Sequence, residues 1–401
     1  MKLKILMSDE LQDRAAIIMG TRPGIVKMAP LAKEFNRRSM EAEIIHTGQH
    51  YSENMDKSFF DALELALPRY RVDSTKLYNT HAEQTAEMLR GVEKVLIDIR
   101  PKVVLVCGDA NTNLAAGLAA RKLGIVVGHV ESGLRSNDWR MPEEHNRIIL
   151  DHISELLFAP TGEACDNLVK DNVRGKIYYT GNTIVDSTLE NIVIAEKKLT
   201  ILQDLGMESG EYLLLTTHRE ENVDSKDRLE SLLKGVLQAG EELGKTVLFP
   251  AHPRTLKRLE DFGFEKKLSS EDNFKIIDPV GYMDFLVLQK HASLVLTDSG
   301  GIQEESCILK TPCVTLRDNT ERPETLTVGS NMLAGVDPDR IVEAARTMIK
   351  KEREWELPFG DGKAAARIVD AVKDVMENGV ELMEHMPEGR QAKAEKFILE
   401  K

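Results

Sequence analysis

Two patterns of hydrophobic residues alternate along this chain. Short apolar runs, such as residues 15–19 and 103–107, have the length and composition of buried strands. Between them, Leu, Ile and Ala recur at three- and four-residue spacing, as in residues 80–100 and 228–243, which predicts amphipathic helices. Strands that alternate with helices of about 10–15 residues indicate βαβ units and therefore a parallel sheet.

The alternation runs through the chain twice. The first series of predicted strands covers residues 15–19, 43–46, 103–107, 125–130, 156–159 and 177–180. The second covers residues 212–217, 246–250, 274–277, 294–296 and 313–316. We therefore predict an α/β protein with two Rossmann-like domains, 1–182 and 183–365, and a helical tail, 366–401. An amphipathic segment at 364–375 predicts that the C-terminal helix packs back on the first domain.

Composition excludes several classes of protein. Of the 401 residues, 42% are hydrophobic and 30% are charged, and no apolar run approaches the roughly 18 residues of a membrane span. A net charge of −13 argues against nucleic acid as a partner. The four cysteines show no C-x-x-C spacing, which favours reduced thiols and a cytoplasmic location.

The predicted strand at residues 294–296 ends in a candidate anion site. A glycine turn that opens a helix presents free N–H groups and the positive end of the helix dipole to a phosphate. Glu305 lies about one turn into the helix and is suited to accept hydrogen bonds from ribose hydroxyls. Arg317 and Arg322 follow the next strand as a candidate clamp for a diphosphate. The turn itself consists of Asp298, Ser299, Gly300 and Gly301.

Carboxylates gather at the strand ends and at one helix start of the first half, namely Asp109, Glu131, Glu143 and Glu144. Such a group can supply a general acid and a general base, although Asp109 and Glu143 could equally be helix caps. His218 follows a strand of the second half and faces the cleft predicted between the domains. The chain has no G-x-G-x-x-G fingerprint, no P-loop and no H-E-x-x-H spacing, so we predict neither a cofactor nor a metal.

An ordered series of motifs resembles the non-hydrolysing UDP-N-acetylglucosamine 2-epimerases over roughly residues 15–366. The motifs are Gly20-Thr21-Arg22-Pro23, Gly108-Asp109, Val130-Glu131-Ser132-Gly133-Leu134-Arg135, Pro142-Glu143-Glu144-x-Asn146-Arg147, Thr180-Gly181-Asn182-Thr183, Thr217-His218-Arg219-x-Glu221-Asn222, Asp298-Ser299-Gly300-Gly301-Ile302-Gln303-Glu304-Glu305 and Thr320-Glu321-Arg322-Pro323-Glu324. The resemblance implies a GT-B architecture with parallel sheets facing a cleft, a homodimer, and C2 epimerisation through elimination of UDP.

The resemblance also implies roles for individual residues. Asp109, Glu131 and Glu143 are the acid and base candidates, and His218 lies near the diphosphate. The implied substrate contacts are Arg22, Lys27, Ser299, Gly300, Gly301, Glu305 and Arg322, with Gln49 and His50 as a candidate effector site.

The chain departs from the family pattern at two places. Gly24-Ile25-Val26-Lys27 replaces the usual Glu-Ala-Ile-Lys, although the lysine keeps its position. Tyr51-Ser52-Glu53 replaces the usual basic continuation of the effector segment. The alternative functions are an epimerase for a UDP-2,3-diacetamido-uronic acid and a GT-B glycosyltransferase that uses a UDP-sugar donor. A non-catalytic nucleotide-sugar sensor is a further alternative.

Overall fold

A computed structural model describes residues 10–48, 53–72, 80–380 and 394–395. The strands are β1 (Gln12–Met19), β2 (Ala42–His46), β3 (Tyr70–Arg71), β4 (Pro101–Cys107), β5 (Val126–Val130), β6 (Leu156–Ala159), β7 (Lys176–Tyr179), β8 (Tyr212–Thr216), β9 (Thr246–Pro250), β10 (Phe274–Ile277), β11 (Leu294–Thr297), β12 (Cys313–Thr315), β13 (Asn331–Leu333) and β14 (Ala394–Glu395). The helices are α1 (Arg22–Arg37), α2 (Glu53–Ala62), α3 (His81–Ile99), α4 (Asn111–Lys122), α5 (Pro142–Ile153), α6 (Gly162–Lys170), α7 (Thr183–Lys198), α8 (Ile201–Leu205), α9 (Glu220–Val223), α10 (Lys226–Leu243), α11 (Pro253–Phe262), α12 (Glu265–Leu268), α13 (Tyr282–His291), α14 (Gly300–Ile308), α15 (Pro323–Thr327), α16 (Pro338–Met348) and α17 (Ala364–Asn378).

The chain divides into two compact units. Unit 1 comprises Met1–Ser187 and Phe359–Lys401, and unit 2 comprises Thr188–Pro358. The sequence analysis places the corresponding boundaries at 182/183 and 365/366. Helix α17 packs in unit 1 against α1 and β4, so the expectation that the C-terminal helix returns to the first half of the chain is confirmed.

Unit 1 contains a parallel sheet with strand order β14-β7-β6-β5-β4-β1-β2-β3. Strands β1 and β4 are neighbours in space although two strands separate them in sequence, so the connections leave in opposite directions from this pair. Ligands of open α/β sheets bind beyond the carboxyl ends of the strands at such a switch point. In unit 1 this point lies where β1 and β4 end.

Unit 2 repeats the arrangement with strand order β10-β9-β8-β11-β12-β13. Its switch point lies between β8 and β11, whose last residues Thr216 and Thr297 are partners across the ladder. Both units therefore have the doubly wound parallel architecture that the alternating pattern predicts.

The apolar runs form strands because both faces of each sheet are covered by helices. In unit 1, Ile18, Val104 and Val106 are buried against the small residues of α4, Ala116 and Ala120. In unit 2, α10 and α16 cover one face of the second sheet through an aliphatic cluster. Within the described ranges, no helix is both long enough and apolar enough to span a bilayer.

Helix α1 begins earlier than the sequence pattern indicates. Its first residue is Arg22 rather than Ile25, because the Thr21 side chain caps the helix by accepting from the Gly24 amide at 3.3 Å. Pro23 lies in the first turn, where its missing N–H costs nothing. The cap signal therefore overrides the apolar periodicity at this end of the helix.

Candidate functional site

The turns after β1, β4 and β5, which contain the first three motifs, lie together at the switch point of unit 1. Asp109 follows β4 and Glu131 follows β5, and the two strands pair in register with Cys107 opposite Val130. The turn after β1 packs so closely on its neighbours that a Cβ on Gly20 would lie 2.4 Å from the hydroxyl oxygens of Thr47 and Thr112. Glycine at this position therefore allows the β1 turn to reach the carboxyl edge of the sheet.

Glu131 is buried and fully engaged. Its carboxylate accepts from the Lys27 ammonium at 2.7 and 2.8 Å and from the Asn182 amide nitrogen at 2.9 Å. The Cys107 thiol lies 3.8 Å away, and burial, followed by the charge of Glu131, raises the pKa of that thiol so that it stays protonated. Glu131 has a positive φ of 65°, a strained conformation for a residue with a side chain. The fold thus holds a carboxylate and an ammonium together at the strand end.

Asp109 pairs with a cation of a different helix. Its carboxylate forms an ion pair with the guanidinium of Arg147 on α5. Asn146, the preceding residue of that helix, donates to the Asp109 backbone carbonyl at 2.8 Å. The N-cap of α4 is Ala110 and no side chain caps that helix, so the capping alternative for Asp109 is wrong. Asp109 is two-thirds buried, so part of its carboxylate remains accessible.

The two carboxylates of the Pro-Glu-Glu segment differ sharply. Glu144 accepts from the backbone of Ser136 and Asn137 and from Arg147. Burial raises its pKa, and these hydrogen bonds lower it more, so the pKa of Glu144 lies below the ordinary value. Glu143 is half-buried in the first turn of α5 and forms no hydrogen bond or ion pair within the described part of the chain. Glu144 is therefore structural, whereas the carboxylate of Glu143 remains available.

Two further predicted contacts of unit 1 come from the start and the second turn of α1. Arg22 is exposed at the first helical position, and Lys27 reaches Glu131. Gln49 and His50 lie outside the described residues.

In unit 2 the organising residue is Asp298, which is completely buried where β11 ends. Its carboxylate accepts from the Thr217 hydroxyl at 2.7 Å, from the His218 and Arg219 amides at 3.0 Å each, and from Asn222 at 3.2 Å. Burial raises the pKa of Asp298, but the hydrogen bond and charge of His218, with the other donors, bring it below its ordinary value. An ionised Asp298 thus fixes the loop that follows β8.

His218 projects from that loop. Its Nδ1 lies 3.3 Å from Asp298, and its side chain is 45% exposed. The ring of His252 stands 6.3 Å from the His218 ring, and burial, followed by the charge of His218, lowers the pKa of His252. The buried carboxylate therefore orients one ring nitrogen of His218 while the ring itself remains accessible.

The N-terminus of α14 lies at the same switch point. Ser299 is its N-cap but makes no capping hydrogen bond, and its own amide donates to the Thr297 hydroxyl at 3.0 Å. Gly300 is the first helical residue, and the exposed Gly301 would have no atom within 4 Å of an added Cβ. The first amides of a helix have no partner within it. This open helix start is suited to a phosphate.

The acidic and basic candidates of unit 2 lie at different depths. Glu305 is buried in the second turn of α14. Arg322 forms an ion pair with the buried Glu304, with 2.7 Å between Nε and Oε1. Arg317, the other half of the predicted clamp, is held by Glu221 at 2.8 Å and by Glu321 at 3.6 Å. The ion pairs fix Arg317 just after β12 and Arg322 at the start of α15.

The candidate site includes residues that the sequence analysis did not assign. Asn182 and Arg147 occur in the quoted motifs but received no role, Asp298 was assigned only a place in the glycine turn, and His252 was given no role. The signal for Asp298 was its place directly after a strand, opposite the strand end that leads to His218. Among the described residues, no group of three or more His, Cys, Asp or Glu side chains has the arrangement of a metal site.

Replacing Asp298 by asparagine should loosen the His218 loop. The substitution replaces one of the two acceptor oxygens by an NH2 group, which cannot accept from the surrounding donors. Leaving a buried donor unsatisfied costs roughly 1–3 kcal/mol. We expect the melting temperature to fall by several degrees, measured by calorimetry. Asp272→Asn, at an exposed position before β10, is the control and should melt as the wild type does. Equal melting of both variants would contradict the organising role of Asp298.

Comparison with known proteins identifies close relatives. A family model described as UDP-N-acetylglucosamine 2-epimerase matches residues 33–373. A UDP-N-acetylglucosamine 2-epimerase of Methanocaldococcus jannaschii is 50% identical over 359 residues, covering 89% of this chain and 98% of the relative. A UDP-2,3-diacetamido-2,3-dideoxy-D-glucuronate 2-epimerase of Pseudomonas aeruginosa is 39% identical, covering 88% and 97% of the two chains.

The fold is also similar to that of a solved UDP-GlcNAc 2-epimerase. The crystal structure of the Methanocaldococcus jannaschii UDP-GlcNAc 2-epimerase in complex with UDP-GlcNAc and UDP superposes with a TM-score of 0.79. The comparison covers 90% of this chain and 99% of that one, at 50% sequence identity.

Proposed function

Because the chain belongs to the UDP-N-acetylglucosamine 2-epimerase family, we propose that it interconverts UDP-N-acetylglucosamine and UDP-N-acetylmannosamine by eliminating and re-adding UDP. The observation that carries the proposal is the pairing of two carboxylates with cations at adjacent strand ends of unit 1, Asp109 with Arg147 and Glu131 with Lys27. These are groups that can accept and return a proton.

The reaction requires such groups because C2 of the sugar carries no acidic hydrogen. No carbonyl lies next to C2 to stabilise a carbanion, so direct deprotonation would be very costly. In the proposed route, a carboxylate removes the C2 proton while the C1–O bond breaks and its electron pair leaves with UDP. The product is 2-acetamidoglucal with a C1=C2 double bond. Protonation of C2 on the opposite face and return of UDP to C1 then give the epimer.

We assign the proton transfers to Asp109, Glu131 and Glu143. Glu131 and Asp109 form ion pairs with Lys27 and Arg147, which hold the two carboxylates in place at the strand ends. Glu143 lies half-buried without an ion-pair partner in the described ranges, which leaves its carboxyl group open to the substrate. Arg22, at the exposed start of α1, is assigned to the substrate on charge and on family resemblance.

We assign the nucleotide to unit 2. The open start of α14, with Ser299, Gly300 and Gly301, would receive the diphosphate, and Glu305 would accept hydrogen bonds from the ribose. Arg322 and the imidazole of His218 would stabilise the negative charge on the departing UDP. In this assignment, Asp298 is the residue that positions His218, because it holds both the loop amides and Nδ1.

The alternatives differ in what they require. A glycosyltransferase needs an acceptor and at most one base, and a sensor needs no acid or base at all, so the carboxylates of unit 1 disfavour both. An epimerase for the diacetamido uronic acid would use the same groups. The higher identity to the UDP-N-acetylglucosamine epimerase, 50% against 39%, favours UDP-N-acetylglucosamine as substrate.

The protein should convert UDP-N-acetylglucosamine alone, without acceptor, metal or nicotinamide. Incubation in D2O, followed by proton NMR, should show UDP-N-acetylmannosamine with deuterium at C2, because the proton removed exchanges with solvent before another returns. A parallel incubation with the diacetamido uronic acid nucleotide tests the substrate alternative. Complete retention of the original C2 hydrogen would contradict elimination and favour a hydride route.

Three further features belong to the proposal. The family resemblance implies a homodimer. A reducing, cytoplasmic location is supported by Cys107, Cys165, Cys307 and Cys313, which are buried free thiols. The effector role of Gln49 and His50 remains an expectation from the motif.

A further inference from the structure

Asn182 contacts Glu131 from outside the strands that carry the candidate acids and bases. Its amide nitrogen donates to Glu131 Oε1 at 2.9 Å, the same oxygen that Lys27 contacts at 2.7 Å. The side chains of Asn182 and Glu131 are both buried, with 2% and 5% exposure. A hydrogen bond to an ionised carboxylate in such surroundings stabilises the charged form.

The orientation of the Asn182 amide is fixed by its other contacts. Its Oδ1 accepts from the Ile184 amide at 3.1 Å, at the start of α7, so the NH2 group must point toward Glu131. Its backbone N–H donates to the Phe359 carbonyl at 2.8 Å. The side chain therefore cannot turn away from the carboxylate without losing a buried hydrogen bond.

These contacts place Asn182 where the chain leaves and re-enters unit 1. The chain passes from unit 1 to unit 2 after Ser187, and it returns at Phe359. Beside Asn182, Gly181 and Gly360 approach so closely that a Cβ on Gly360 would lie 3.1 Å from the Gly181 Cα. Gly360, with φ of 115°, adopts a conformation that glycine favours. We refer to 181–187 and 359–365 as the crossing segments.

We propose that Asn182, in the first crossing segment, is a positioning residue for proton transfer. Its amide keeps the Glu131 carboxylate ionised and correctly oriented. The proposal rests on the proposed function, in which Glu131 moves the C2 proton. It assigns the Gly-Asn-Thr segment a task in the reaction besides its place at the start of α7. Lys27 of α1 and the Cys107 thiol of β4 also contact this carboxylate, and the charge of Asp109 acts on the same thiol.

The test is the pH dependence of kcat for Asn182→Ala and Asn182→Asp, beside wild type. Removing the donor should raise the pH at which Glu131 ionises, so the acidic limb of the profile should move upward by about one unit. Aspartate keeps an acceptor for the Ile184 amide but adds a second negative charge beside Glu131. The acidic limb of Asn182→Asp should therefore move further upward. At the wild-type optimum, kcat should fall about 10-fold or more, with an unchanged Kd for UDP.

Arg367→Gln is the matched control for the crossing segments. Arg367 donates to the Thr180 carbonyl at 3.0 Å and pairs with Asp361 without touching Glu131. Its loss should lower the melting temperature and leave the pH profile in place. Asp186 of the first crossing segment accepts from the first amides of α17, and burial raises its pKa to about 6. Because the charge of Asp361, the partner of Arg367, also acts on Asp186, the control tests this titrating group as well.

Superimposable acidic limbs for wild type and both Asn182 variants would overturn the proposal, even if kcat fell. An acidic limb that moved equally in Arg367→Gln would overturn it as well, because the effect would then be general to the crossing segments. If wild type itself did not epimerise the substrate, the proposed function would fail instead, so the two failures are distinguishable.

Discussion

Glu131→Gln and Asp109→Asn should each lower kcat by about 100-fold or more. The substitutions keep the size of the side chain but remove a proton acceptor. In the structure each carboxylate forms an ion pair, Glu131 with Lys27 and Asp109 with Arg147, so both sites accommodate a negative charge. The measurement is the initial rate of epimer formation by NMR at saturating substrate.

Glu163→Gln is the control for this prediction. Glu163 is an exposed carboxylate of unit 1, in the first turn of α6, away from the strand ends. It should retain wild-type kcat. Melting curves of all three variants separate a chemical effect from a loss of fold, because neutralising Glu131 or Asp109 removes one ion pair, with Lys27 or with Arg147. Wild-type kcat in Glu131→Gln would remove Glu131 from the proton-transfer step.

The second large effect is expected on nucleotide affinity. Glu305→Ala and Arg322→Ala should each raise the Kd of UDP roughly 10- to 100-fold, because a hydrogen bond to a charged group contributes about 1.5–3 kcal/mol. Arg322→Ala also leaves the buried Glu304 without its ion-pair partner, so its melting temperature should fall as well. Titration calorimetry with UDP measures the affinity directly.

Exposed side chains of unit 2 provide the matched controls for this titration. Glu230→Ala on α10 and Arg346→Ala on α16 remove the same functional groups from exposed positions. Both controls should bind UDP as the wild type does. Equal affinity of Glu305→Ala and Glu230→Ala would exclude Glu305 from the nucleotide site.

The sequence predicted the architecture well because its signals were local. Apolar runs between helical segments marked the strands, and the candidate residues directly after those runs marked the strand ends. Helix ends were less predictable where two local signals competed, as at α1, where the Thr21 cap and Pro23 extend the helix beyond its apolar pattern. The capping alternative for Asp109 could be rejected only from the structure, where the N-cap of α4 is Ala110.

The supporting residues of the site were harder to predict because their partners are distant in sequence. Asp298 organises a loop 80 positions earlier in the chain, at His218. Asn182 reaches Glu131 across 51 positions, and Arg147 reaches Asp109 across 38. Apart from the place of Asp298 directly after a strand, nothing in the local pattern distinguishes such residues from ordinary turn or helix residues. Their roles follow from the register of the strands, which brings the loops to one edge of each sheet.

The central claim is that chemistry belongs to unit 1 and nucleotide binding to unit 2, and one paired titration tests it most directly. UDP is titrated by calorimetry into Asp109→Asn and Glu305→Ala under identical conditions. We predict that Asp109→Asn binds UDP with wild-type affinity although its kcat has collapsed, and that Glu305→Ala binds UDP roughly 10- to 100-fold more weakly. Loss of UDP binding in Asp109→Asn together with wild-type binding in Glu305→Ala would contradict the division of labour.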